Sequence, residues 1–268
     1  MSFQQHITSL WDSGRQEFTP GDRAMFEAFK SALHRGEVRA AEPTDDGWRV
    51  NAWVKQGILL GFRMGVIAMV NDTPAGCWLD KDTYPIRHFV PADAVRIVPG
   101  GSSVREGAYI GRQVTMMPPM YVNTGAYVDD GTMIDSHALV GSCAQVGKRV
   151  HLSAGAQLGG VLEPIGATPV IIEDDVFVGG LAGVFEGVRV CAEAILAAGV
   201  ILTGGTPVYD ATVGEFLPDS RVIPPRAVVV PGTRPLRSNP DFAVACPIIV
   251  KYRDARTDAA VTLEDALR

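Results

Sequence analysis

VREGAYIGRQVTMMPPMYVNTGAYVDDGTMIDSHALVGSCAQVGKRVHLSAGAQL, residues 104–158, decides the architecture because it repeats in steps of six. Val104, Ile110, Met116, Val122, Val128, Ile134, Val140, Val146, Leu152 and Leu158 share one register. Four places past most of them stands a second, usually smaller residue, as at Ala108, Ala126, Thr132, Ala138, Ala144 and Ala156. The step resumes at Ile172 and runs through Val178, Val184, Val190, Leu196 and Leu202 to Val208. An amphipathic helix would place apolar residues three and four apart, and an ordinary strand would alternate every two over one short run. A period of six fits neither, and is the mark of a repeat solenoid. Each hexad predicts one short strand and a turn, with the large aliphatic residue and its smaller companion facing inward. Three hexads close a triangular coil, and successive coils stack parallel strands at roughly 4.8 Å. Glycine recurs at the third place past the aliphatic (Gly107, Gly125, Gly131, Gly155, Gly199), where a tight corner asks for positive φ.

The 268-residue chain is long enough for a sizeable core and more than one unit. Its net charge of −6, with no basic stripe, argues against nucleic acid and anionic membrane as partners. Cys77, Cys143, Cys191 and Cys246 lack C-x-x-C spacing, so neither a zinc knuckle nor a redox pair is expected. No apolar run reaches the length of a membrane span and nothing resembles a signal peptide, so a reduced cytoplasmic setting is expected.

Outside the repeat, Pro20–His34 carries Met25, Phe26, Phe29 and Leu33 on one helical face, ended by Gly36. A second helix is expected over Trp48–Met64 with Trp53, Val54, Ile58 and Phe62 inward, a short strand over Glu37–Glu42, and loops over 66–100. These divide the chain into a mainly helical domain (1–100) that covers the solenoid's open N-terminal end, a β-helix (101–232) and a C-terminal cap (233–268). Solenoid ends need such covers because they expose core and strand edges. The fourteen-residue step from Leu158 to Ile172 predicts a protruding loop around PIGATPVI, residues 164–171. Past Val208 a second break precedes one more hexad at Ile223, then an apolar strand over Phe242–Val250 and a helix N-cap at Thr262 with Asp265.

Counting hexads puts Ile134, Leu152, Val178 and Leu196 on one face. Asp135 and His137 project from the first of these and Gly199 lies on the last, three coils away or about 14 Å. Groups so far apart serve one reacting atom only across an interface between copies, and a three-sided prism makes a homotrimer the natural ring. His137 and His151 do not stack, which makes them a poor metal pair, and no metal site is expected.

The repeat resembles the left-handed parallel β-helix of hexapeptide-repeat acyltransferases. That resemblance supplies the left hand, since crossover rules alone favour the right. The longer segments 118–164 (PPMYVNTGAYVDDGTMIDSHALVGSCAQVGKRVHLSAGAQLGGVLEP) and 170–180 (VIIEDDVFVGG), with IVKYRDA at 249–255, resemble the tetrahydrodipicolinate N-succinyltransferases. The expected fold is therefore mainly β. The expected activity is transfer of succinyl from succinyl-CoA to the amine of the ring-opened dicarboxylate in lysine and diaminopimelate biosynthesis. Acyl-CoA enters as co-substrate, with no tightly bound cofactor. The resemblance implies substrate contacts at Arg96 and Asp135, a guanidinium suiting a carboxylate and a carboxylate suiting the substrate ammonium. It also implies that Gly199 lies near the thioester, where a backbone N–H would hold the oxyanion. CoA phosphates would meet Arg221, Arg237 and Lys251, with Arg226 and Arg234 nearby.

One position departs from the family pattern. Where G-A-R-S-E is common, this chain reads Gly179-Gly180-Leu181-Ala182-Gly183, so the glutamate position is Gly183 and the base is open between Asp135 and His137. Histidine as a residue type suits proton transfer near neutrality. Leu181 and Ala182 in place of polar residues make acetyl-CoA the rival donor. A hexapeptide-repeat O-acyltransferase and a non-catalytic solenoid are the other readings. Cys143, at a corner without a basic partner, is expected to pack at an interface and not to act as a nucleophile.

Overall fold

The computed structural model describes residues 2–73 and 76–254, so the expected N-cap at Thr262 lies outside the described residues. The hexad becomes a prism, a left-handed parallel β-helix whose rungs are two-residue strands ending on the inward aliphatic. The first face stacks Arg96–Ile97, Thr115–Met116, Met133–Ile134, His151–Leu152, Phe177–Val178 and Ile195–Leu196 as a parallel ladder. The second runs from Ser103–Val104 through Leu139–Val140 and Gly183–Val184 to Ile201–Leu202. The third runs from Tyr109–Ile110 through Gln145–Val146 and Arg189–Val190 to Val222–Ile223. The inward aliphatics and their smaller companions make one continuous buried core. At the corners, the residue three past the aliphatic takes positive φ whether or not it is glycine, as at Gln113, His137, Cys143, Arg149 and Leu181.

The repeat stops one step earlier than the spacing suggests. Val208 is buried in the core, but the rung after Leu202 on the third face is Val222–Ile223. Val208 instead donates its N–H to Ser220 Oγ and accepts Leu217 N–H, which takes its backbone out of the ladder. The following Tyr209–Asp210 pairs with Glu215–Phe216 and with Ile248–Ile249. The run 242–250 is two strands, not one. Asn239–Ala245 forms a hairpin with Thr233–Leu236, and Ile248–Tyr252 lies antiparallel to Ala227–Val230, the last parallel rung of the first face, and joins it to Tyr209–Asp210.

The N-terminal part has three helices: α1 (Phe3–Asp12), α2 (Pro20–His34) and α3 (Ala52–Met64). Helix α2 starts on a capping box in which Thr19 and Asp22 satisfy each other's backbone N–H, and Pro20 fills its first turn. Helix α3 begins later than its apolar stripe suggests because Gly47–Val50 pairs with Ala41–Thr44 as a hairpin around Asp45-Asp46. A second hairpin, Ile67–Thr73 with Gly76–Lys81, occupies sequence expected to be loop. Two glycines inside α3 let it approach its neighbours: a Cβ at Gly57 would stand 2.7 Å from the Phe29 ring, and one at Gly61 would run into Phe26 and the Tyr84 hydroxyl.

The helices and first hairpin of this part lie along the side of the prism, and it is the last residues before the first rung that meet its N-terminal end. Arg39 stacks 3.6 Å over the Tyr127 ring, and Trp48 Nε1 donates to Glu173 at 3.0 Å, both on the third face. From α3, Ile58 packs on the corners at Gly125 and Cys143, while the buried Lys55 reaches the protruding loop and donates to Ala167 O at 2.5 Å. Phe89 and Val95, just ahead of the first rung, pack against the prism core.

Candidate active site

The first and second faces meet along an edge built from successive corners: Asp135–His137, Ser153–Gly155, Gly179–Leu181 and Ala197–Gly199. Asp135 follows Ile134 and therefore points outward. Its Oδ1 accepts the Ser136 N–H at 2.7 Å, and Oδ2 has no partner among the described residues. His137 is exposed and held at the corner by its N–H to Pro119 O and by Gln157 Nε2, which donates to its carbonyl at 3.1 Å. Arg96 stands on the same outward face two rungs above, through Thr115 and Met133, hence about 10 Å along the axis at one strand spacing per rung. Gly199 is three coils from Asp135 in the other direction, as the hexad count requires.

Gly199 itself is not an oxyanion donor. Its N–H is committed to Gly180 O at 2.9 Å, the bond that closes the corner. The donor available there is one residue earlier, and the rest of the prism explains why. Each corner leaves the N–H two places past the inward aliphatic outside the ladder, and at several corners a carboxylate or amide caps it. On the edge between the third and first faces, Arg112 and Lys148 donate to Asp130 and Asp174 of the next coil, and Ala192 donates to Glu173. Elsewhere Thr124 donates to Asn123, Gly204 to Glu186 and Ser136 to Asp135. The same N–H groups of Ser142, Asp174 and Glu186 have no partner among the described residues, and below Ser136 on the first–second edge three in succession, Ala154, Gly180 and Ala198, have none. They recur once per coil, roughly 4.8 Å apart. The sequence reading missed them because the signal is an absence: no Asp, Asn or Glu in the capping places.

Gly183 lies outward on the second face, and Phe185 occupies the space above it. A Cβ at Gly183 would run into the Phe185 ring, and one at Gly159 on the coil above would stand 2.7 Å from it. The position that the family pattern reserves for a glutamate is therefore roofed by an aromatic ring. Phe185 also floors a cleft of about 700 Å³ walled by the protruding loop (Glu163, Pro164, Ala167, Thr168) and rimmed by Glu186 and Arg221.

The cations do not converge. Arg221 is in that cleft on the second–third edge, Arg237 is exposed between the strands of the C-terminal hairpin, and Lys251 is on the closing strand 3.7 Å from Asp254. Arg226 pairs with Glu193. Cys143 packs at an interface, but inside its own chain. It is fully buried against the α3 cluster, and that burial pushes its thiol up to about 12 despite Lys55 nearby. His151 stacks edge-on against Phe177 at 4.9 Å. Among the described residues no three His, Cys, Asp or Glu side chains gather, and no helix is long and apolar enough to cross a membrane.

Residues 2–64 match the family model "Tetrahydrodipicolinate N-succinyltransferase N-terminal", and residues 169–204 match "Hexapeptide repeat of succinyl-transferase". A 2,3,4,5-tetrahydropyridine-2,6-dicarboxylate N-succinyltransferase of Nitrobacter winogradskyi is 42% identical over 100% of this chain and 98% of its own. One from Paramagnetospirillum magneticum is 41% identical over 100% of both chains. The chain belongs to this N-succinyltransferase family. A third relative of the same name, from Rhodopseudomonas palustris, is 44% identical over 92% of this chain and 90% of its own. Both parts of the molecule, the side-on helical domain and the prism, thus fall inside one family frame, and Gly183 lies within its matched repeat segment.

Proposed function

We propose that the chain transfers the succinyl group of succinyl-CoA to the amine of ring-opened tetrahydrodipicolinate, in lysine and diaminopimelate biosynthesis, as a homotrimer with sites between copies. The observation that carries this reading is the pairing of Arg96 and Asp135 on one outward face of a chain collinear with N-succinyltransferases. Their spacing of about 10 Å suits a ring-opened amino diacid, with Arg96 on a carboxylate and Asp135 on the ammonium. Once the amine is deprotonated, its lone pair attacks the thioester carbonyl and forms the C–N bond. The carbonyl electrons move to oxygen, where the corner N–H of Ala198 stabilises the oxyanion. Collapse expels the CoA thiolate, and the amine's second proton leaves through Asp135 or His137. No covalent acyl-enzyme is needed.

Ala198 takes the part expected of Gly199, and its distance of about 14 Å from Asp135 in one protomer calls for the two to meet across copies. Arg221, Arg237 and Lys251 lie too far apart for one phosphate and are assigned singly as contacts along the CoA chain. The unpaired thiols of Cys143, Cys191 and Cys246 agree with a reducing cytoplasm. The lack of a polar side chain at Gly183, roofed by the Phe185 ring, favours a second reading, in which acetyl-CoA is the donor. Thiol release from succinyl-CoA and acetyl-CoA, each with the amino diacid, tests both. Succinyl transfer is expected to dominate, a strong acetyl preference replaces the donor, and no acylation from either removes the assignment.

A further inference from the structure

Leu181 is doubly unfavourable for folding where it stands. It takes the left-handed conformation at φ 58, which strains any L-residue with a branched side chain, and it is 74% exposed, so burial returns nothing. The other non-glycine residues in that corner slot are polar, as at Gln113, Arg149, Asp175, Glu193 and Arg226, or buried, as at Cys143. Among the described residues, Leu181 alone puts a large exposed aliphatic side chain there.

Its place is specific. Leu181 lies one coil from the Ala198 corner, directly after the uncapped Gly180 N–H, on the wall assigned to the thioester carbonyl. Its side chain folds up the edge across Gly155, where an added Cβ would stand 2.8 Å from Leu181 Cδ2. The corners around it are Ala154-Gly155, Gly180 and Ala198-Gly199, so Leu181 is the largest side chain among these corner residues, with Pro231 beside Gly199 at the lower end. The Leu181 corner is one coil, about 4.8 Å, above that of Ala198, so an acyl chain that leaves a carbonyl held at Ala198 and runs up the edge passes it.

Resting on the transfer reading, we propose that Leu181 is a specificity-determining contact for the acyl donor, packing against the methylene carbons next to the thioester. The test uses Leu181→Gly and Leu181→Asn, because both residues accept the left-handed slot at less strain than leucine. Wild-type turnover with succinyl-CoA tests the transfer reading by itself, and only the ratio of variant to wild type tests Leu181. Both variants are expected to melt no lower than wild type. With the amino diacid saturating, kcat/KM for succinyl-CoA is expected to fall roughly tenfold, the size of a lost methylene-scale contact. The KM for the amino diacid should hold, and the preference for succinyl-CoA over acetyl-CoA and glutaryl-CoA should flatten by a similar factor. Unchanged donor kinetics and chain-length preference would overturn the proposal. So would a smaller sedimenting mass in the variants, which would assign Leu181 to the contact between copies.

Discussion

Asp135 commits one carboxylate oxygen to its own corner, on Ser136 N–H, and keeps the other for a ligand. Asp135→Asn keeps the corner bond and loses the charge. Turnover should therefore fall by orders of magnitude, with an unchanged circular dichroism spectrum and sedimenting mass. His137→Ala separates the two bases: its pH–rate profile should differ in shape from wild type, and an identical profile leaves proton transfer to Asp135. For the oxyanion, the prism supplies its own control. Proline already stands two places past the inward aliphatic at Pro118 and Pro225, so Ala198→Pro deletes one N–H at a slot that accepts proline. Its kcat should drop by about 10²–10³, as for loss of one oxyanion donor, with little change in melting temperature. Asp135 was legible in the sequence because a carboxylate is a visible residue. The Ala198 donor was not, because what matters there is a cap that is missing, and caps are recognisable only once the coils are stacked.

Among elements, the rungs were legible because their inward aliphatics recur at a fixed interval and each is fully enclosed. Val208 kept that interval by coincidence: its side chain reaches the core, but its backbone bonds to Ser220 and Leu217. The hairpins at 41–50 and 67–81 were not legible, since strand pairing is decided by backbone partners that side-chain periodicity does not name. The Gly183–Phe185 contact was hidden for a similar reason, being a close approach between a glycine and a ring two residues on. The joint between α3 and the prism gives a pH test. Burial holds the Cys143 thiol up near 12, whereas in the unfolded chain it ionises near the ordinary thiol value of 9.0. The folded state therefore keeps a proton that the unfolded state has lost. The stability this contributes is intact below pH 9 and drains as pH climbs toward 12. Burial of Lys55 lowers its pKa and acts in the opposite sense, so the two must be separated by substitution. Urea melts of wild type and Cys143→Ala should show the wild type losing stability relative to the variant across that alkaline window, and parallel curves would mean the thiol is wetter than its packing suggests.

For the whole molecule, the question is which surface is left for another copy. The third face is occupied by Arg39 and the chain's own N-terminal hairpin, through Tyr127 and the Trp48–Glu173 bond, and the first-face sheet continues past Ile248–Tyr252 into Tyr209–Asp210 and Glu215–Phe216. Among the described residues no other element packs over the edge between the first and second faces, and that edge carries Asp135, His137, Leu181 and the N–H groups of Ala154, Gly180 and Ala198. A ring that uses this edge puts Asp135 of one protomer against Ala198 of the next, which a single prism keeps about 14 Å apart. Sedimentation should then report three times the 28.6 kDa chain mass. Mixing gives the stricter test. Asp135→Asn and Ala198→Pro are each expected to be nearly inactive alone. In a randomly assembled cyclic trimer, a site needs an intact Asp135 on one protomer and an intact Ala198 on its neighbour. One site in four meets that condition, so an equimolar co-refold should recover about a quarter of the wild-type rate. If Asp135 instead works with the Ala154 N–H one coil below it in its own protomer, Ala198→Pro keeps its activity and mixing only dilutes the Asp135 variant. Those two outcomes differ without any need to see the complex, and the second would dismantle the shared-site arrangement while leaving the prism and the family assignment standing.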